Sequence, residues 1–150
     1  MAWSCFVREA ELSSPLIFSI TPYWAEMILS GRKTVELRRR PPKLAQCVAA
    51  LIYETRPRMQ ISALCSVGPV ISAAVGTLWA RVGEASGLHR EGFERYFDGL
   101  PTAHAIVLSG VTALKEPVLL QDLRDTIGFR PPQSWCRASE SLMELVRRRL

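Results

Sequence analysis

Apolar and polar positions along this chain change period several times, and the changes mark its elements. Leu16 to Ile20 is apolar except for Ser19 and short enough for a buried strand. From Thr21 the period lengthens, and Trp24, Met27 and Ile28 fall on one helical face. Thr21 suits the N-cap, and Pro22 suits the first helical position, which needs no backbone N–H. Gly31 suits the stop, because it takes a positive φ at no steric cost. Alternation takes over in residues 33–39, with Val35 and Leu37 on one side and Thr34, Glu36 and Arg38 on the other. Residues 46–53 and 60–67 read as further buried strands, the second extended by residues 69–71, with Pro57 marking the turn between them.

Helical period returns in residues 73–84, where Val75, Leu78, Trp79 and Val82 recur at i, i+3, i+4 and i+7, and Gly87 ends it. Residues 89–97 form a second short helix, with Phe93, Tyr96 and Phe97 on its buried face and Gly99 as its stop. A strand follows over residues 102–109, and residues 111–115 continue it after a bulge at Gly110. Residues 120–126 make a helical turn, and Pro131-Pro132 stops the chain before Gln133-Ser134-Trp135. The last helix begins near Ser139 and carries Leu142, Leu145, Val146 and Leu150 as its apolar stripe. Arg147, Arg148 and Arg149 offset its dipole at the C-terminal end. Short strands and helices in mixed order, with no repeat or linker, predict an α+β fold. The expected form is a closed or nearly closed β-barrel flanked by short helices. The expected domain spans residues 15–150, after a loosely ordered lead-in over residues 1–14.

Composition narrows this little. A hydrophobic content of 48% in 150 residues is enough for one core. Net charge is +5, which favours polyanionic partners without requiring one. Residues 59–80 contain no charge, yet Gly68-Pro69 and several serines break the run, so a strand, a turn and a helix start explain it better than a membrane span. Cys5, Cys47, Cys65 and Cys136 are scattered and contain no C-x-x-C pair, so neither a zinc site nor a disulfide framework is expected. Cys47 and Cys65, in apolar surroundings, are expected in the core. Free thiols and an N-terminus interrupted by Arg8, Glu9 and Glu11 predict a cytoplasmic protein. His89 and His104 have no partners at ligand spacing, and no metal or cofactor is expected.

The chemistry concentrates at Gly31-Arg32-Lys33-Thr34-Val35-Glu36-Leu37-Arg38. Lys33 at a helix end is a candidate phosphate ligand or desolvated base. Glu36 and Arg38 share a strand face, and the arginine would keep the carboxylate ionised as a hydrogen-bond acceptor or general base. Lys33 and Glu36 have opposite parity, so both line one cleft only if Lys33 belongs to the turn after Gly31 and the strand proper starts near Thr34. Thr34 beside Lys33 is a candidate nucleophile. Arg38, Arg39, Arg40 and Lys43 form the densest basic run, suited to phosphate contacts. Tyr23 and Tyr53 are candidate stacking platforms, whereas Trp24 is expected in the core. Gln133 and Ser134 follow the rigid diproline and are candidate ligand contacts.

These residues resemble the G-x-K-x-x-E-x-R signature of ASCH domains, relatives of the PUA fold. Ile52-Tyr53-Glu54-Thr55-Arg56-Pro57 is similar to the family's second core strand and turn. Phe93 to Gly99 followed by Ala105 to Leu108 is similar to its helix and late strand. Pro131-Pro132-Gln133-Ser134-Trp135 is similar to a C-terminal motif of a small prokaryotic and phage branch. The resemblance spans residues 16–135 and implies a PUA-like mixed β-barrel. It also implies a cleft that binds nucleic acid, most readily RNA, through Tyr23, Lys33, Glu36, Arg38, Arg39, Arg40, Lys43, Tyr53, Gln133 and Ser134. Hydrolysis on the same cleft, by a ribonuclease or a modified-nucleoside amidohydrolase using Lys33, Thr34 or Glu36, is the alternative. A protein-interaction or regulatory domain is the third reading. The amidohydrolase branch has a threonine three residues after its lysine, where this chain has Glu36, so that nucleophile does not transfer. Its late glutamate matches Glu84, Glu91 or Glu94 by order alone.

Overall fold

A computed structural model describes residues 14–150. Apart from Ser14, the expected N-terminal lead-in lies outside the described residues, as does Cys5. Six strands and five helices follow in the order β1 (Leu16–Ile20), α1 (Pro22–Leu29), β2 (Val35–Leu37), β3 (Val48–Glu54), β4 (Gln60–Ala73), α2 (Val75–Ser86), α3 (Arg90–Tyr96), β5 (Ala103–Leu119), α4 (Leu120–Ile127), β6 (Trp135–Arg137) and α5 (Glu140–Arg147). The strands form one sheet in the order β2-β5-β4-β3-β1-β6. β1 and β3 are parallel, and every other neighbouring pair is antiparallel.

Consecutive strands β1 and β2 lie four places apart in that order, about 19 Å across a flat sheet at the usual strand spacing. The connection between them is one eight-residue helix and a turn. The sheet therefore curls, bringing its two edges toward each other. Side chains rather than a backbone ladder bridge the gap: Arg38, just past β2, donates to Ser19 O on β1 at 3.2 Å and to Ser134 Oγ before β6 at 3.0 Å. Trp135 Nε1 donates to Arg40 O, and Arg137 to Lys43 O, so residues 38–43 strap the open side. The result is a mixed α+β half-barrel.

Alternation distributes the apolar residues among three clusters. Leu16, Phe18 and Ile20 face the barrel interior with Ile52, Ala63, Cys65 and Ile106. Ile17, Leu51 and Tyr53 face outward under α4 and α5, and Val35 and Leu37 face outward under α2 and α3. The strand after Gly110 continues to Leu119, longer than the pattern indicated, and the residues 69–71 extension belongs to β4. The strand expected over residues 33–39 pairs only at Val35–Leu37. β6 is new, because three residues show no period. Leu150 is exposed, outside the expected stripe of α5, and Met143 takes part in its buried face instead. Cys65 is buried as expected, and burial pushes its thiol up to about 12. Cys47 is a correction: it is exposed at the surface before β3, with its sulfur on Gly68 O. Among the described residues no helix is long and apolar enough to cross a membrane.

Candidate functional site

The site is built where the turn after α1 meets the end of α2. Gly31 adopts φ +77°, and Lys33 N–H returns to Met27 O, so Lys33 belongs to the helix end and not to the strand. Thr34 is pinned on both sides, its N–H to Ala85 O and its carbonyl to Leu108 N–H. Strand geometry then starts at Val35, which turns Glu36 inward beside Ile106, its cross-strand partner. The parity conflict between Lys33 and Glu36 is resolved as the sequence required.

Three charges converge there. Lys33, 3% exposed, donates from Nζ to Ser86 O at 2.8 Å and lies 3.5 Å from Glu36 Oε2. Its ammonium sits 5.1 Å from the centre of the Trp24 ring. Ser86 is the last residue of α2, so the cation also meets the negative end of that helix. Burial pulls the Lys33 pKa down, and the Glu36 carboxylate opposes that shift. Arg38 Nη2 lies 3.0 Å from Glu36 Oε1, and its guanidinium stacks 5.4 Å from the Phe18 ring centre. Together with Trp24 and Tyr96 these side chains line a cleft of about 210 Å³ open to solvent.

Tyr96 was expected in the core, yet it is 37% exposed. Its hydroxyl donates to Leu37 O at 3.0 Å, and its ring borders the cleft. Burial raises its pKa, Arg38 opposing. A tyrosine between Phe93 and Phe97 with a polar tip was the available signal, since such rings set an apolar body inward and the hydroxyl toward a partner. Trp24, assigned to the core, is only partly buried and forms a cleft wall. Ser86, which anchors Lys33 through a carbonyl, carried no signal at all.

The remaining candidates scatter. Ser134 is tied to the site through Arg38, whereas Gln133 is exposed. Tyr23 is 63% exposed on the outer side of α1, edge-on to Trp24. Tyr53 is 3% exposed on the opposite face of the sheet against Phe129, away from the cleft. Thr34 is exposed and does not line the cleft. Arg39 is committed to Tyr96 O and Asp98 O at the end of α3, while Arg40 and Lys43 point their side chains from the strap into solvent. Glu91 and Glu94 pair along α3 with Arg95 and Arg90, and Glu84 is exposed, so none of the late glutamates enters the cleft.

A curled mixed sheet whose mouth holds a lysine, a glutamate and an arginine defines a PUA-like α+β domain. Residues 18–118 match the ASCH domain family model, and the chain belongs to the ASCH family. It is 34% identical over 128 residues to a curated ASCH domain-containing ribonuclease of Zymomonas mobilis, covering 83% of this chain and 86% of that protein. A crystal structure of ASCH from Zymomonas mobilis superposes with a TM-score of 0.81 at 31% identity, covering 88% of this chain and 92% of the other. The N-terminal domain of Staphylothermus marinus McrB shares the fold at a TM-score of 0.56 and 11% identity, over 91% of this chain and 94% of that one.

Proposed function

We propose that this chain binds RNA and seats one nucleotide in the cleft between Lys33, Glu36 and Arg38. The observation that carries the reading is the Glu36 carboxylate, 9% exposed and held between two cations at the wall of a solvent-open cleft. Packing alone would favour an apolar residue there, because a buried ion pair stabilises little against well-packed hydrophobic side chains. A charged triad opening on solvent suits a polar, anionic ligand. The kinship with a ribonuclease makes RNA the natural ligand. Arg40 and Lys43, exposed on the strap, would add phosphate contacts that position the strand.

The same kinship favours a second reading, in which the bound RNA is cleaved. Glu36 would take the 2′-hydroxyl proton as the 2′-oxygen attacks phosphorus. The 5′-oxygen of the next nucleotide would leave with a proton from Lys33, and Arg38 would stabilise the phosphoryl charge. Incubation with 5′-labelled RNA separates the readings. Products ending in a 2′,3′-cyclic phosphate and lost in Glu36→Gln support cleavage. Salt-dependent binding of intact RNA supports binding alone, and no binding at low salt removes both.

A further inference from the structure

Among the described residues, three buried side-chain polar atoms have no hydrogen-bond partner: Glu36 Oε2, Arg38 Nε and Ser62 Oγ. The first two belong to residues lining the same cleft. Their neighbours set a pattern. Glu36 is an acceptor only, with Lys33 Nζ 3.5 Å from one oxygen and Arg38 Nη2 3.0 Å from the other. Lys33 has three N–H groups and places one on Ser86 O. Arg38 uses Nη1 on Ser134 and Nη2 on Ser19 and Glu36, leaving Nε. The three residues at the cleft wall therefore run donor, acceptor, donor, in the order Lys33, Glu36, Arg38, with Glu36 Oε2 and Arg38 Nε lying just beneath the accessible surface.

We propose, resting on the RNA reading, that the cleft selects unpaired uracil and that Glu36 is the residue that reads it. The Watson–Crick edge of uracil is carbonyl, N3–H, carbonyl, which meets all three groups. With the side chains at the mouth shifted to uncover these atoms, N3–H would donate to the Glu36 carboxylate, and the two carbonyls would accept from Lys33 and Arg38. Adenine supplies one donor and one acceptor at this edge, so one cation stays unmatched. Guanine sets its amino group against a cation. Cytosine has an acceptor at N3, so it meets the carboxylate only by shifting its amino group there and leaving one flank empty. A desolvated group left unpaired is what makes such discrimination large. At about 210 Å³ the cleft is smaller than the usual site for a drug-sized ligand and fits one base, not a base pair. A base read on this edge must be out of its helix.

The test is fluorescence anisotropy with labelled 2′-O-methyl octamers of uridine, cytidine, adenosine and N3-methyluridine, in which the 2′-oxygen cannot attack. The uridine octamer should bind roughly tenfold tighter than those of cytidine and adenosine. N3-methylation, which removes the donor, should abolish that advantage in the unaltered protein. Glu36→Gln, once shown to be folded by circular dichroism, should level the preferences. Equal affinity for all octamers, preference for cytidine or adenosine, or tolerance of N3-methylation overturns the proposal while leaving RNA binding in place. Failure of every octamer to bind overturns both.

Discussion

At Lys33 two opposed fields meet. Burial, and to a smaller extent the neighbouring Arg38, disfavour the ammonium, while Glu36 favours it, and the net effect is a lowered pKa. With the folded pKa below the unfolded value of 10.5, the unfolded chain binds more protons between the two. The stability Lys33 confers, relative to Lys33→Met, should be greatest above 10.5 and fall away as pH drops through the lowered folded value. Urea unfolding of both proteins at pH 7, 8.5 and 10 measures it, and a difference that does not change with pH would mean that the ammonium is solvated. Arg39 and Lys43 give a second contrast between single residues. Both belong to one basic run in the sequence, but Arg39 donates to Tyr96 O, the last carbonyl of α3, and to Asp98 O just beyond it, whereas the Lys43 side chain is exposed. Arg39→Ala should cost about 1 kcal/mol of stability. Lys43→Ala should leave stability unchanged and reduce the salt dependence of RNA binding by about one phosphate contact. Equal effects of the two on stability would contradict the cap.

Among the elements, the end of α2 matters most to the site. Gly87 closes that helix at φ +77°, and a Cβ there would lie 3.3 Å from the Trp24 ring and 3.4 Å from Met27. Gly87→Ala therefore combines left-handed strain with crowding of the cleft wall, and should destabilise by about 1–2 kcal/mol. It should also weaken RNA binding, since Ser86, one residue earlier, anchors Lys33. Denaturation midpoints and anisotropy on the same protein check both effects. The helix ends were legible because glycine at a positive φ and a proline at N1 are local requirements. Ser139 likewise caps α5 by accepting from Leu142 N–H. Thr21 sits at its cap position without a side-chain bond, so the Pro22 geometry alone starts α1. The short β6 was not legible, since its pairing with β1 depends on an edge supplied by distant residues.

Across the molecule, the half-barrel is held at its open side by a few polar links, with Arg38 the central one. Ser134→Ala removes one of its bonds and should cost about 1 kcal/mol. Amide exchange should then speed up in residues 134–138 before it does in β3 and β4, which mass spectrometry of peptides would show. Uniform acceleration across the sheet would mean that the links do not localise closure. Strands with clear alternation, helices with clear ends, and the grouping of Lys33, Glu36 and Arg38 are all readable along the chain, because period and φ requirements act over a few residues. The need for Lys33 to lie in a turn is readable too, since strand parity is a local rule. Folding alone selects the aromatic rings that meet the cleft. The sequence offers Tyr53 for stacking and assigns Tyr96 to a buried helix face, yet the curl of the sheet buries the first on the outer face and brings the second to the mouth. Folding also selects which arginines are occupied, because the Ser134 hydroxyl that Arg38 meets and the carbonyl at the end of α3 that Arg39 meets are invisible along the chain until the fold brings them within hydrogen-bond reach.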